Sequence, residues 1–319
     1  MGVNAAPALA RLGVLIAAVC LGSAALLLTI SQASPSTAAF LRCALAILAL
    51  APFAVAEVSR HGLPGKATVG IAAGAGAFLG IDYIMWAQSV YDAGVGVSTV
   101  LISVQAVVFP ALVWLLHREH PGRLFLWCVP VMLGGMLLTG GAFGVDPGAA
   151  APLRGAILGV LSGVLYGVYI YGTHRCRVLS PALIVTPVLI ATTAACLVTL
   201  IGGLVLGGFD FDLGLSGWAA MVGLAVLGQA GAWGLLAVFS TRLPVTETAS
   251  LMLAQPITAV LLGTLLAGEQ LAVGQWLGIV IVVAVVWLVS GGMRVLSRRC
   301  QAAAEVRGAV RRRGSSHRR

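Results

Sequence analysis

VGVSTVLISVQAVVFPALVWLLHRE, residues 95–119, and VTETASLMLAQPITAVLLGTLLAGE, residues 245–269, repeat one pattern 150 positions apart. Val95/Val245, Leu101/Leu251, Gln105/Gln255, Leu112/Leu262, Leu115/Leu265, Leu116/Leu266 and Glu119/Glu269 are identical. Leucine coincidences carry little weight in a chain that is 60% hydrophobic. The glutamine and glutamate matches carry more, because the chain holds only eight Gln and five Glu. Paired segments in so apolar a chain point to an internal repeat, an organisation common among transporters.

Only 9% of the residues are charged, against about a quarter in a soluble domain. Ten apolar runs stand out: 9–30, 35–56, 67–90, 94–117, 122–143, 153–173, 181–207, 215–239, 244–267 and 273–293. Each is close to the ~20 residues that a helix needs to span a bilayer. Short connections carry the turn residues, as in Gly62-Leu63-Pro64-Gly65, His120-Pro121-Gly122 and Asp146-Pro147-Gly148. The runs are uniformly apolar rather than alternating, which favours helices over a barrel. The expectation is an all-α integral membrane protein of ten transmembrane helices in two inverted five-helix repeats. The repeats occupy 9–146 and 147–293, between a short N-terminus (1–8) and a basic tail (294–319). Nothing is left for a folded soluble domain.

The net charge of +9 sits mainly in that tail, which holds nine arginines and one glutamate. With the N-terminus inside, the inner connections receive Arg11, Arg60, Lys66, Arg118, Arg123, Arg175, Arg177, Arg242 and the tail arginines, while the outer ones receive Arg154 alone among basic residues. This positive-inside bias puts both termini in the cytoplasm and makes the two five-helix halves antiparallel. A basic tail after the last span suits the anionic inner leaflet rather than nucleic acid. Cys20, Cys43, Cys128 and Cys196 lie in apolar runs, and no CxxC pair occurs, so neither a disulfide framework nor a metal site is expected. No cofactor is expected either.

The chain resembles the EamA-type transporters of the drug/metabolite transporter superfamily over about residues 10–290. Ser34-Pro35-Ser36-Thr37-Ala38-Ala39-Phe40-Leu41-Arg42 is similar to the family's entry into its second helix, which ends in Leu-Arg. The fourth run of each half ends in Glu, at Glu119 and Glu269. Glu269, Gln275 and Gly278 match an E-x5-Q-x2-G spacing, whereas the first half has Phe125 and Cys128 in the corresponding places. The resemblance implies secondary transport by alternating access, through a central cavity lined by helices of both halves.

Polar side chains in lipid need a partner or a cavity. Gln105 and Gln255 fall near the midplane of their runs, and each is a candidate for the cavity wall or for packing between helices. Pro256 follows Gln255 and frees a backbone carbonyl about one turn earlier, which predicts a kink; Pro110 sits five residues after Gln105. Tyr83 matches Trp233 at the same offset of 150. Trp86 shares a helix face with Tyr83, Gln229 shares one with Trp233, and Tyr166 and Tyr169 are three apart. These rings suit an apolar wall with polar tips, and equally an ordinary core. Arg42 and Asp82 are the costliest residues, at depths of ~10 and ~15 Å from the outer edge. Two readings are open for them: an intramembrane ion pair that locks the first half, or a proton or cation site at Asp82.

Glycines recur every four residues at Gly155, Gly159, Gly163 and Gly167, and at Gly70/Gly74 and Gly76/Gly80. That spacing suits close packing within the chain, a sliding surface or a homodimer face. Enzyme chemistry finds no support. Gly214-Leu215-Ser216-Gly217 resembles a rhomboid serine motif, but the only later histidine is His317 in the tail. His117-Arg118-Glu119-His120 lacks the spacing of a zinc motif, and no phosphate-binding loop occurs. The sequence therefore points to export of a small neutral or zwitterionic metabolite, such as an amino acid, across the plasma membrane. Drug efflux, nucleoside or sugar transport, and a non-transporting membrane partner or sensor are the alternatives.

Overall fold

The computed structural model of the chain describes residues 5–118, 123–142, 144, 146–239, 242–243 and 245–289. Glu119 and the tail arginines fall outside these residues. Among the described residues the secondary structure is helical, without strands. Seven helical stretches are long and apolar enough to cross a membrane, and three shorter apolar ones (Phe125–Thr139, Ser250–Leu265, Val273–Trp287) accompany them.

In chain order the helices are α1 (Ala5–Ser31), α2 (Pro35–His61), α3 (Lys66–Ala93), α4 (Val95–Leu101), α5 (Gln105–His117), α6 (Arg123–Thr139) and α7 (Pro152–Leu179). They continue with α8 (Val185–Val205), α9 (Gly214–Ala225), α10 (Ala232–Phe239), α11 (Val245–Met252), α12 (Ala254–Leu265) and α13 (Val273–Trp287). Local chemistry sets several boundaries. The Ser34 hydroxyl accepts from the Thr37 N–H, with Pro35 opening α2. Gly94 turns the chain between α3 and α4 at φ 100°, a left-handed conformation suited to glycine.

The segment from Val95 to His117 and that from Val245 to Leu265 are each broken at the same place. A 3-10 turn at Ile102–Val104 separates α4 from α5, and Leu253 separates α11 from α12. At the 150-residue offset these breaks overlap, and each lies within two residues before the paired glutamine. The second break has a plain cause. Pro256 offers no N–H to the carbonyl of Met252, where α11 ends. The first has no proline at the matching place, and α5 runs through Pro110.

The two halves of the chain interleave. From the second half, α7 runs along α3 and α5; from the first, α1 runs along α9, α10 and α12. In addition, α8 lies on α2 and α3, and α6 packs against α13. Shifting each first-half helix to its counterpart turns the α3–α7 contact into that of α9–α10 with α1, and the α5–α7 contact into that of α12 with α1. The glycine ladder makes these approaches possible. A Cβ added at Gly163 would lie 2.6 Å from the Ile102 carbonyl oxygen, one at Gly155 2.6 Å from the Ala93 Cβ, and one at Gly80 2.8 Å from the Ala195 carbonyl oxygen. These glycines are therefore used inside the chain, whereas Gly70 and Gly74 look onto open space. The Gln275 and Gly278 of the E-x5-Q-x2-G spacing serve the α13–α6 contact. The Gln275 Nε2 donates to the Thr139 carbonyl at 3.3 Å, and a Cβ at Gly278 would meet the Gly135 carbonyl oxygen at 2.5 Å.

Polar contacts gather at the two ends of the bundle. At one end Arg154 grips Asp92 with two bonds of 2.6 and 2.7 Å, the Tyr91 hydroxyl donates to the Ala33 carbonyl, and Gln270 N–H donates to Asp146. At the other, Glu57 accepts from the N–H groups of Ile184, Val185 and Thr186 at the start of α8, Arg11 pairs with Glu247, and Thr68 meets Ser180. The ends differ in packing: all seven residues of α4 are buried, while none of α5 is.

Substitution at the ladder and at the open face should separate these roles. Gly163→Ala forces a methyl against the Ile102 carbonyl and is expected to cost about 1–3 kcal/mol. Gly74→Ala should be neutral or slightly stabilising, since alanine is the better helix former. Thermal unfolding of the two purified variants in detergent measures the difference.

Candidate functional site

Four of the five ring-bearing residues picked from the sequence converge. Tyr83 of α3, Tyr166 and Tyr169 of α7 and Trp233 of α10 share one apolar cluster with Ala39, Cys43, Leu79, Ala191 and Ala195. The Tyr166 and Tyr169 rings stack at 5.8 Å, and Trp233 meets Tyr169 edge-on at 6.4 Å. Trp86, one turn beyond Tyr83, belongs to the neighbouring cluster around Leu28, Leu41 and Leu224.

Arg42 lies where the two clusters meet. It is 7% exposed, and its guanidinium carbon stands 4.1 Å from the centre of the Tyr83 ring and 5.3 Å from that of Trp86. Aromatic faces stabilise a desolvated cation. Its Nε donates to the Gln229 Oε1 at 3.1 Å and its Nη2 to the Gly228 carbonyl at 3.3 Å. The second acceptor exists because the helix is locally underwound. Val226–Gly231 form a π-turn in which the Ala232 N–H turns to the carbonyls of Leu227 and Gln229. The Gly228 carbonyl, which that N–H would meet in an α-helix, is left for Arg42. Such π-turns commonly mark functional positions. The Tyr83 hydroxyl also donates to Gln229 Oε1, at 2.6 Å. Gln229 is 1% exposed, and its Nε2 has no partner. Beside Arg42 a narrow gap lined by Leu28, Ala38, Ala39, Tyr83, Trp86, Ala87 and Leu224 has no room for a water molecule.

The expected Arg42–Asp82 ion pair is not formed. Among the described residues the ion pairs are Arg11–Glu247 and Arg154–Asp92. The reason is helical geometry. Asp82 and Tyr83 are adjacent, so their side chains leave α3 about 100° apart. Tyr83 faces Arg42, while Asp82 turns to α7 and accepts from the Ser162 hydroxyl. Asp82 is fully buried, and its Oδ2 has no partner. The paired glutamines stand apart from this cluster. Gln105 opens α5 beside Gly167 of α7, with its buried Oε1 unpartnered. Gln255 lies in α12, with its backbone carbonyl against Gly22 of α1.

Two functional-looking features were missed in the sequence. The Gly228 carbonyl has no side-chain signature, although the run Gly228-Gln229-Ala230-Gly231 hints at irregular helix. Glu269 stands out in the sequence as a repeat match and as the start of the E-x5-Q-x2-G spacing, neither of which gives it a partner. Its carboxylate accepts from the Val95 and Gly96 N–H groups at the start of α4, the latter at 3.1 Å. The seat is built of glycine: a Cβ at Gly94 would lie 2.6 Å from Oε1, and one at Gly96 3.1 Å from Oε2. Burial, opposed by these two N–H bonds, raises the Glu269 carboxyl above the usual glutamate range. A separate apolar space of about 470 Å³ between α12 and α13, edged by Trp276 and Trp287, has no convergent polar groups and is a poorer candidate for a solute site.

A family model described as the EamA-like transporter family matches residues 8–141 and 153–291. No curated protein matches the chain. A solved structure described as "Crystal structure of protein" aligns with 92% of this chain and 99% of its own, at 18% identity and a TM-score of 0.58, a likeness of fold alone.

The Glu269 seat yields two expectations. Glu269→Ala removes both acceptors and should cost about 1–3 kcal/mol, read as a lowered Tm in detergent. A carboxyl raised by folding favours its protonated form, so its stabilising contribution is complete below about pH 4.3 and is lost as pH climbs through the raised value. Glu269→Gln cannot ionise, so the Tm of wild type relative to this variant should fall as pH rises.

Proposed function

We propose, from the premise that the chain belongs to the EamA-like transporter family, that it is a secondary transporter moving a small neutral or zwitterionic metabolite by alternating access. As a member it is a multi-pass membrane protein and a transporter of the drug/metabolite transporter superfamily. The finer reading is ten spans in two inverted five-helix repeats over 9–146 and 147–293, in the plasma membrane with both termini cytoplasmic, working as an exporter.

The observation that carries the reading is the Arg42–Tyr83–Trp86–Gln229 cluster together with its aromatic neighbours. Polar and charged groups from both halves converge deep within the spans, beside an apolar wall, as a solute site requires. Unequal packing of the ends supports a conformational cycle. The end held by Glu269, Asp92 and Arg154 is sealed around the wholly buried α4, while α5 at the other end has no buried residue. With the charge bias as guide, the sealed end is the outer one. Gln105 and Gln255, each just past a helix break, then line the path at midplane. The positive-inside count favours this orientation.

The test is flux of a metabolite panel into and out of proteoliposomes, with reporter tags on both termini to fix orientation. Gln105→Ala and Gln255→Ala should each reduce flux at least tenfold while membrane insertion stays near wild type. Equal flux in both variants would remove the glutamines from the path.

A further inference from the structure

We propose that Arg42 is the receptor for a carboxylate on the transported solute, with Gln229 and Tyr83 completing its cradle. This rests on the transporter reading and narrows its substrate class to solutes bearing a carboxylate.

The cluster is short of acceptors. Arg42, the Tyr83 hydroxyl and the Gln229 amide nitrogen are all donors; the first two share one side-chain acceptor, Gln229 Oε1, and Arg42 adds the Gly228 carbonyl. Arg42 is a buried cation with no carboxylate paired to it among the described residues, since Asp82 turns to Ser162. A buried cation of this kind normally has an anion beside it. The second sign is the unpartnered Gln229 Nε2 in a side chain that is 1% exposed. A carboxylate brings acceptors for both, and a planar guanidinium binds it through two parallel bonds. Trp86 and Tyr83 would then flank the solute's apolar part.

The gap beside Arg42 is closed, and the guanidinium rests on Gln229 and the π-turn carbonyl. Arg42 belongs to the first half of the chain and Gln229 to the second. A carboxylate that claims the guanidinium competes with this contact, so loading loosens a tie between the halves.

The full chain, purified in detergent, is titrated with acetate, propionate, butyrate and a set of aliphatic and aromatic amino acids, each beside its primary amide. Thermal shift and Trp fluorescence report binding. Wild type is expected to bind at least one acid ten times or more tightly than its amide. Arg42→Lys keeps the charge but loses the planar fork, and should weaken that acid about tenfold while leaving the amide unchanged. Gln229→Ala should weaken it by a smaller factor. If Arg42→Lys is poorly folded by size exclusion, Tyr83→Phe replaces it, with an expected loss of about threefold. The proposal is overturned if acids and amides bind alike, if no acid binds, or if acid affinity is unchanged in the variants. Proteoliposome flux separates the two readings: solutes carried without regard to a carboxylate sink this inference alone, whereas no flux of any solute sinks the transporter reading.

Discussion

Inside a bilayer, helices gain nothing by hiding hydrocarbon from hydrocarbon, so association depends on how closely their backbones approach. The contact of α3 with α7 supplies that approach here. Gly155, Gly159 and Gly172 on α7 meet Ala93, Ser89 and Ala75 of α3. Because α7 belongs to the second half of the chain and α3 to the first, this packing interleaves the halves rather than joining them side by side. The placement of Tyr83, Tyr166 and Tyr169 in one cluster follows from it. A larger residue on the ladder would spread α3 from α7 and dissolve the site along with the fold.

The cluster around Arg42 shows how a costly charge is kept in such an interior. Two rings, an amide oxygen and a backbone carbonyl share the desolvation burden. None of them alone would suffice, and the carbonyl is available only because six residues adopt a π-turn. The neighbouring carboxylate takes a different solution, one hydroxyl from Ser162. Both arrangements leave a buried polar atom unpaired, at Gln229 and at Asp82. Unpaired groups are expensive in this setting and are commonly kept for function.

Much of this was legible in the sequence. Run length and composition announce the helices, and the 150-residue offset announces the repeat. Tyr83, Trp233, Tyr166 and Tyr169 could be picked out because aromatic residues are scarce, at 7% of the chain. Pro256 foretold the break before α12, since a missing N–H is a local property. The partners of Arg42 were not legible. Asp82 was the obvious counterion by charge, but which face of α3 meets α2 depends on the packing of α7 and α8 against the same helix. The break at Ile102–Val104 was equally hidden, having no proline to mark it. Glu269 could be seen to recur but not to act, because its ligands are backbone N–H groups, which every residue but proline has.

The matched interruptions ahead of Gln105 and Gln255 turn two long rods into four short levers, hinged at matching places in the repeat. One arm of each can then swing while the other stays seated. For the segment holding α4 and α5, the seated arm is the one clasped by Glu269, and the free arm is α5. Passage would therefore cost the molecule only a pivot on each side of a fixed waist, and the bulk of the bundle would keep its packing throughout.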